Sequence, residues 1–128
     1  MSEAILTATG LSRVFKVKHN GSKQDLHAVT DLDLELHAGR TLGIVGESGC
    51  GKTTLNRMLL LLDAPTTGEV RFKGEPCATL SPEARREFRR AVQPVFQNPF
   101  SSLDPRMRVG KIIAEPLSTV PGMTKADV

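Results

Sequence analysis

The sequence predicts an α/β fold in which a buried strand runs into a glycine-rich loop and a helix leaves that loop. Residues 41–45 (TLGIV) form a short apolar run, which is typical of a strand buried on both faces. Three glycines, Gly46, Gly49 and Gly51, follow directly. Residues 52–62 then contain neither Gly nor Pro and are rich in helix-forming side chains, so they predict a helix.

The region before this unit predicts further strands. Residues 5–17 are rich in apolar and β-branched side chains and predict a strand with an interruption at Gly10. A turn signal follows at residues 20–23 (NGSK). Acidic residues then alternate with leucine over residues 31–36, and this period of two predicts a strand with one exposed face. Another strand is predicted at residues 69–73, where Val and Phe alternate with charged side chains.

The region after the loop and its helix predicts shorter elements. Ser81 followed by Pro82 is typical of a helix start, and we expect this helix to extend to Arg90. Residues 92–96 predict a short strand around a proline. Residues 109–114 predict the start of another helix.

Composition and charge exclude several classes of protein. The chain has 128 residues, which allows one domain at most, and a net charge of only +3. Its longest fully apolar run, residues 58–62, is far shorter than the ~20 residues of a membrane-spanning helix. We expect no secretory signal, and the two cysteines provide no disulfide framework. The chain has no Trp or Tyr, and therefore few aromatic side chains that could stack on the bases of a nucleic acid. No nucleic-acid partner is expected.

The glycine-rich loop predicts the chemistry. Residues 46–53 (GESGCGKT) match the pattern G-x-x-x-x-G-K-[ST] without mismatch. The glycines allow the backbone to turn back on itself, so that its N–H groups face inward and the helix N-terminus adds partial positive charge. Lys52 adds a full charge that reaches the β- and γ-phosphates, and the Thr53 hydroxyl is a ligand for Mg²⁺. The motif therefore predicts binding of a nucleoside triphosphate.

Segments on both sides of the loop point to one family. Phe15 lies about thirty residues before the loop, residues 38–40 (AGR) close the alternating strand, and residues 95–99 read VFQNP. Together with the loop, this pattern resembles the ATP-binding subunit of an ABC transporter. The segments 100–107 (FSSLDPRM) and 114–117 (AEPL) resemble its oligopeptide/dipeptide importer branch. Nickel and glutathione importers have similar sequences in these segments.

The resemblance implies an α/β P-loop NTPase fold: an ABC-type ATPase core with an N-terminal antiparallel β-subdomain, truncated at the start of the helical subdomain. Residues 1–128 would be the N-terminal part of a single ABC ATPase domain, with the Walker A loop and the glutamine loop present. The signature sequence, the Walker B strand and the switch histidine are not found in it. The near match to Walker B at residues 59–63 is rejected, because it lies on the predicted helix and Ala64 stands where the glutamate belongs.

The resemblance also implies roles for single residues. Phe15 would stack on the adenine, and Val29 would line the ribose or the adenine. Gln97 would contact Mg²⁺ or the attacking water, and Thr53 would also hold the metal. The phosphates would be held by the loop and the first helical turn, which comprise Gly46, Glu47, Ser48, Gly49, Cys50, Gly51, Lys52, Thr53 and Thr54.

The function implied by the resemblance is that of the ATP-binding subunit of an importer for oligopeptides or dipeptides, with ATP and Mg²⁺ as cofactors. Its partners would be transmembrane permease subunits, a second ATP-binding subunit (the same or a different one) and, indirectly, an external solute-binding protein. Its place would be peripheral, on the cytoplasmic face of the cell membrane.

Two features of the sequence qualify this function. Without the Walker B glutamate, we expect the 128 residues to bind ATP with weak or no turnover. Half a sheet leaves an open edge, so we expect the isolated chain to be unstable or to aggregate. Two alternatives remain: a soluble ATPase of the same superfamily without a permease, and a non-catalytic, truncated remnant.

Overall fold

A two-residue turn joins the two longest strands, β1 (Ala4–His19) and β2 (Ser22–His37), in a computed structural model that describes residues 3–124. The turn residues Asn20 and Gly21 both have positive φ, 49° and 81°, as a type I′ turn requires. This turn matches the twist of the strands, so β1 and β2 pair antiparallel along their whole length. The strand predicted at 5–17 is confirmed, and the strand predicted at 31–36 is part of the longer β2.

The sheet continues on the other side of β1. Strand β3 (Thr67–Phe72) pairs antiparallel with β1, and the short β4 (Glu75–Pro76) pairs with β3, which makes the order β2-β1-β3-β4. The predicted interruption at Gly10 is confirmed, because this residue has φ 57° and the β1–β2 register shifts beside it. The observed sheet is therefore an antiparallel one.

Two helices accompany this sheet. Helix α1 (Lys52–Leu59) follows the glycine-rich loop and ends three residues before the predicted end, since Leu61 takes a left-handed φ of 56°. Helix α2 (Pro82–Ala91) begins as predicted, and the Ser81 hydroxyl accepts a hydrogen bond from the Ala84 N–H at 3.1 Å. A 3₁₀ helix (Cys77–Thr79) precedes it.

The core lies between the sheet and these helices. The rings of Phe72 and Phe88 meet edge to face, with centroids 5.3 Å apart, so α2 is anchored on β3. In β2 the leucines of the alternating segment 31–36 are half-buried and its acidic residues are exposed, as the period of two predicts. The buried residues are Leu6, Ala8, Leu11, Val29, Leu55, Met58, Val70, Phe72, Cys77 and Phe88.

Two of the predicted strands are wrong. Residues 41–45 and 92–96 contain no strand, and Val45 and Val95 are 96% and 98% exposed. A strand exists only where a neighbour accepts and donates its backbone hydrogen bonds. Within residues 3–124, no strand pairs with either segment. An apolar run predicts burial, but it does not supply the pairing partner.

The chain divides into two compact units, Met1–Gln93 and Pro94–Val128. The second unit contains helix α3 (Val109–Ala114), which confirms the helix start predicted there, and two 3₁₀ helices, Pro99–Ser102 and Glu115–Thr119. Across the described part of the chain, every helix is too short or too polar to span a bilayer.

Candidate phosphate-binding site

The glycine-rich loop, residues 46–51, curls back on itself. Gly49 and Gly51 have φ of 81° and 94°, in the region that L side chains rarely adopt. At Gly46 the constraint is different: a Cβ there would lie 2.5 Å from the Cys50 Sγ. A side chain at position 46 would therefore require the Cys50 side chain to move.

At Gly51 the loop packs closely against strand β2 of the sheet. A Cβ at this position would collide with the backbone carbonyl oxygen of Ala28 in β2, and it would lie 3.4 Å from the Val29 side chain. The same glycine is the left-handed residue before α1, so the helix starts directly against β2. The sequence predicted that Gly51 lets the backbone turn and approach a ligand, but not this packing role, because no pattern near Ala28 indicates the contact.

Lys52 places its ammonium group inside the curve of the loop. Its Nζ donates hydrogen bonds to the carbonyl oxygens of Gly46 and Glu47, both at 2.6 Å, and lies 3.5 Å from the Cys50 Sγ. Phosphate oxygens are stronger acceptors for a cation than neutral carbonyls. The first turn of α1 carries no acidic residue, so no carboxylate on that turn opposes the positive end of the helix.

The donor set of the loop fits a phosphate chain that carries Mg²⁺. Thr53 is exposed at the start of α1, while Thr54 is half-buried. No group of three or more His, Cys, Asp or Glu side chains is placed to hold a metal among residues 3–124. Mg²⁺ commonly uses one or two protein ligands together with substrate phosphates and water. A single hydroxyl beside a phosphate-binding loop agrees with that chemistry.

Phe15 lies on β1 close to where the loop meets the sheet. It pairs with Leu26, two residues before Ala28, so it is roughly 7 Å along the strands from the carbonyl that touches Gly51. The ring is half-buried, and the Arg13 guanidinium lies over it, 4.7 Å from the ring centroid. The structure thus brings the residue expected at the base into the neighbourhood of the loop.

Val29 is buried in the core, with its side chain beneath Gly51. It also lines a cavity of about 290 Å³ on the flank of the loop. The lining residues are Ala28, Val29, Thr30, Leu32, Ile44, Val45, Cys50, Gly51, Lys52 and Leu55. The role predicted for Val29, lining the ribose or the adenine, stays a prediction.

Gln97 belongs to the second unit of the chain, whereas the loop belongs to the first. Its backbone is in a bend and its side chain is exposed. Its predicted contact with Mg²⁺ or water therefore stays a prediction.

The rejected Walker B match is not a strand. Residues 60–63 form turns and bends after α1, and both carboxylate oxygens of Asp63 bind the Arg57 guanidinium, at 2.7 and 3.0 Å. The hydrogen bond from Arg57 holds the pKa of Asp63 below its ordinary value. Of the three histidines, His19 and His27 are exposed, and His37 is half-buried with its Nε2 3.1 Å from a Glu35 carboxylate oxygen.

Comparison with known proteins adds independent findings. The family described as ABC transporter matches residues 29–126. The di/tripeptide transport ATP-binding protein DppF of Pseudomonas aeruginosa is 45% identical over 90% of this chain, and the oligopeptide transport ATP-binding protein OppF of Haemophilus influenzae is 42% identical over 98%. The chain spans 36% and 40% of the lengths of these two relatives.

Solved structures show the same fold. The dimeric structure of MJ0796, a bacterial ABC transporter cassette, superposes on 95% of this chain with a TM-score of 0.73 and 22% identity, and 51% of that cassette is covered. A dimeric post-hydrolysis state of MJ0796 bound to ADP and Pi matches 63% of the chain with a TM-score of 0.54 and 25% identity, and 35% of that structure is covered.

Proposed function

Since the chain belongs to the ABC transporter family, we propose that it binds ATP with Mg²⁺ through residues 46–54 and acts as the ATP-binding subunit of a peptide importer. The observation that carries the proposal is the position of the Lys52 ammonium, 2.6 Å from two carbonyl oxygens inside a loop that has positive φ at two glycines. A lysine held there serves as the positive centre of a phosphate site.

The triphosphate would bind at the mouth of the loop. The N–H groups of the first α1 turn lack partners within the helix and would donate to phosphate oxygens. The Lys52 ammonium would exchange its two carbonyl acceptors for the β- and γ-phosphates. Mg²⁺ would be held by the Thr53 hydroxyl, and it neutralises phosphate charge when bound. The side chains of Glu47 and Ser48 are exposed, so these two residues would act through their backbone.

The base would bind on the β1–β2 side of the loop. The half-buried Phe15 ring offers a flat apolar surface for adenine, and such stacking contributes to binding without hydrogen-bond readout. Val29, beneath Gly51, would shape the wall between base and phosphates. Distance along the strands supports this arrangement, because Phe15 and the Gly51 contact are only two residues of strand apart.

The importer role rests on relatives named for peptide transport. By this proposal the chain acts at the cytoplasmic face of the membrane with transmembrane permease subunits and a second ATP-binding subunit, and an external solute-binding protein delivers the peptide. Retention of the tagged chain on membranes that contain dipeptide permease subunits, but not on membranes without them, is the expected result. Equal retention on both membranes would favour the soluble ATPase instead.

Turnover by these 128 residues is expected to be weak. Hydrolysis needs a group that positions or activates water. The carboxylate nearest in sequence after α1, Asp63, is bound on both oxygens by Arg57. The proposal for this chain is therefore binding of ATP, with hydrolysis dependent on groups that it does not itself provide.

Replacement of Lys52 tests the proposal. Lys52→Ala removes the only positively charged side chain in the loop motif and should weaken binding of MgATP about 100-fold, as measured by calorimetric titration. Lys23→Ala removes the same charge from an exposed position in β2 and should leave the affinity unchanged. If Lys52→Ala binds MgATP as tightly as Lys23→Ala does, the assignment of the loop is wrong.

A further inference from the structure

We propose that Arg13 is a positioning residue that sets the Phe15 ring for base binding, an inference that rests on the proposed binding of ATP. Neither the loop motif nor the resemblance draws attention to Arg13. The proposal stands on three contacts within the first unit: with the ring, with the turn after α1, and, through that turn, with the helix that carries Lys52.

The first contact is with the ring itself. Arg13 and Phe15 are two residues apart in β1, so their side chains lie on the same face of the strand. The guanidinium carbon is 4.7 Å from the ring centroid, within the ~6 Å range of a cation–π interaction. One face of the ring is therefore covered by the guanidinium, and a base that stacks on Phe15 uses the opposite face.

The second contact fixes the guanidinium. One terminal nitrogen of Arg13 donates to the Ala64 carbonyl oxygen at 2.7 Å. Ala64 belongs to residues 63–66, here called the strap, which lead from the turn after α1 to β3. Thr66 of the strap also bonds β1 twice: its hydroxyl accepts from the Val14 N–H at 3.0 Å, and its N–H donates to the Ser12 carbonyl at 2.8 Å.

The third connection runs from the strap to the phosphate side. Asp63, the first residue of the strap, is bound in two places by Arg57 of α1. Helix α1 begins with Lys52, so the strap links β1 to the same helix that carries the phosphate-binding lysine. The Phe15 ring, through Arg13, and the helix that carries Lys52, through Arg57, are therefore both bonded to the strap.

The guanidinium of Arg13 is only partly hydrogen-bonded. Its Nε is buried and has no hydrogen-bond partner among the described residues. A buried donor without a partner is unfavourable. The guanidinium nevertheless stays in this position, where it is held by the hydrogen bond to Ala64 and the contact with the Phe15 ring.

Orientation of the ring before binding increases affinity for the base. A free phenylalanine side chain loses rotamer freedom when a base stacks on it, whereas a ring already held by Arg13 loses less. Removal of the guanidinium should therefore weaken binding of the base, about fivefold, and leave binding of the phosphates unchanged. This separation distinguishes a positioning residue from a merely structural one.

The test compares MgATP with magnesium tripolyphosphate, which has the phosphates and no base, by calorimetric titration of the purified chain. Arg13→Gln should bind MgATP about fivefold more weakly and tripolyphosphate with unchanged affinity. Arg13→Lys keeps a cation and a donor and should recover most of the loss. Phe15→Leu should show the same selective loss, and adding Arg13→Gln to it should have no further effect, since the two residues act as one unit.

The matched control is Arg71→Gln. Arg71 also donates to a backbone carbonyl, that of Gly74 at 3.1 Å, and lies on the neighbouring strand β3, and Phe15 is not among its contacts. It should change neither affinity.

Three results would overturn the proposal: equal weakening of MgATP and tripolyphosphate by Arg13→Gln, no selective loss in Phe15→Leu, or additive losses in the double variant. The proposed function fails separately, if Lys52→Ala leaves tripolyphosphate binding intact.

Discussion

The antiparallel sheet and the segment at residues 41–45 both contain apolar side chains, but they bury these side chains to very different extents. Val70 in β3 is 5% exposed and Val45 is 96% exposed. β3 pairs with β1 along its length, while the segment, although it runs directly into the glycine-rich loop, has no paired strand among the described residues. The same side chain is thus core in one place and surface in the other, and the difference lies in pairing.

The comparison shows what a strand requires. β1 and β2 need only a two-residue turn to meet, and the turn residues already prefer positive φ. A strand buried on both faces needs neighbours that a local turn does not supply, since parallel strands are joined by long crossovers. The predictions below test whether the energetics of the two regions differ as much as their exposure does.

The largest difference in stability between the two regions is expected when glycines are replaced by alanine. Gly68 and Gly74 both have φ 81°, but only at Gly68 would a Cβ collide with backbone atoms, those of Thr9 and Gly10. Gly68→Ala should lower the free energy of unfolding by about 3 kcal/mol and Gly74→Ala by about 1 kcal/mol, in urea titrations. Gly43→Ala, in the exposed segment and with open space around it, should have almost no effect. Equal losses at Gly68 and Gly43 would contradict the comparison.

A smaller difference is expected for the matched valines. Val70→Ala removes buried methyl groups and should cost about 2 kcal/mol of unfolding free energy. Val45→Ala removes the same atoms from an exposed side chain and should change stability by less than about 0.5 kcal/mol. Urea unfolding of both variants measures this, and a loss at Val45 as large as that at Val70 would show that residues 41–45 are packed.

The smallest effect concerns the two cysteines. Cys77 is 3% exposed, and burial raises the pKa of its thiol, whereas Cys50 in the loop is exposed. Because the folded pKa is above the unfolded one, Cys77 contributes stability that is complete below the unfolded pKa and is lost as pH rises through the folded pKa.

Two measurements on the thiols check this. Iodoacetamide at pH 8 should alkylate Cys50 about tenfold faster than Cys77. Cys77→Ala should remove part of the loss of stability between pH 8 and pH 10. Equal alkylation rates would mean that the first unit opens readily around Cys77.

The elements that were predicted correctly are determined by short, local sequence signals. Asn20-Gly21 specifies a type I′ turn, Ser81-Pro82 specifies a helix start, and the alternation over 31–36 specifies one buried face. Each depends on residues within one turn or one strand. The strands predicted at 41–45 and 92–96 are the ones that failed. A strand needs a pairing partner that can be distant in the sequence, and the hydrophobic pattern of a segment does not indicate whether that partner exists.

The loop motif, the family and the residues proposed to bind phosphate could be inferred from the sequence, because phosphate chemistry demands particular residue types at particular spacings. The tertiary structure decided which constraints act on those residues. Gly51 must also clear the Ala28 carbonyl, Phe15 is covered on one face by Arg13, and Asp63 is held by Arg57. Gly51 and Ala28 are 23 positions apart, and Arg13 donates a hydrogen bond to the carbonyl oxygen of Ala64, 51 positions away, so only the folded chain brings these atoms within range of one another.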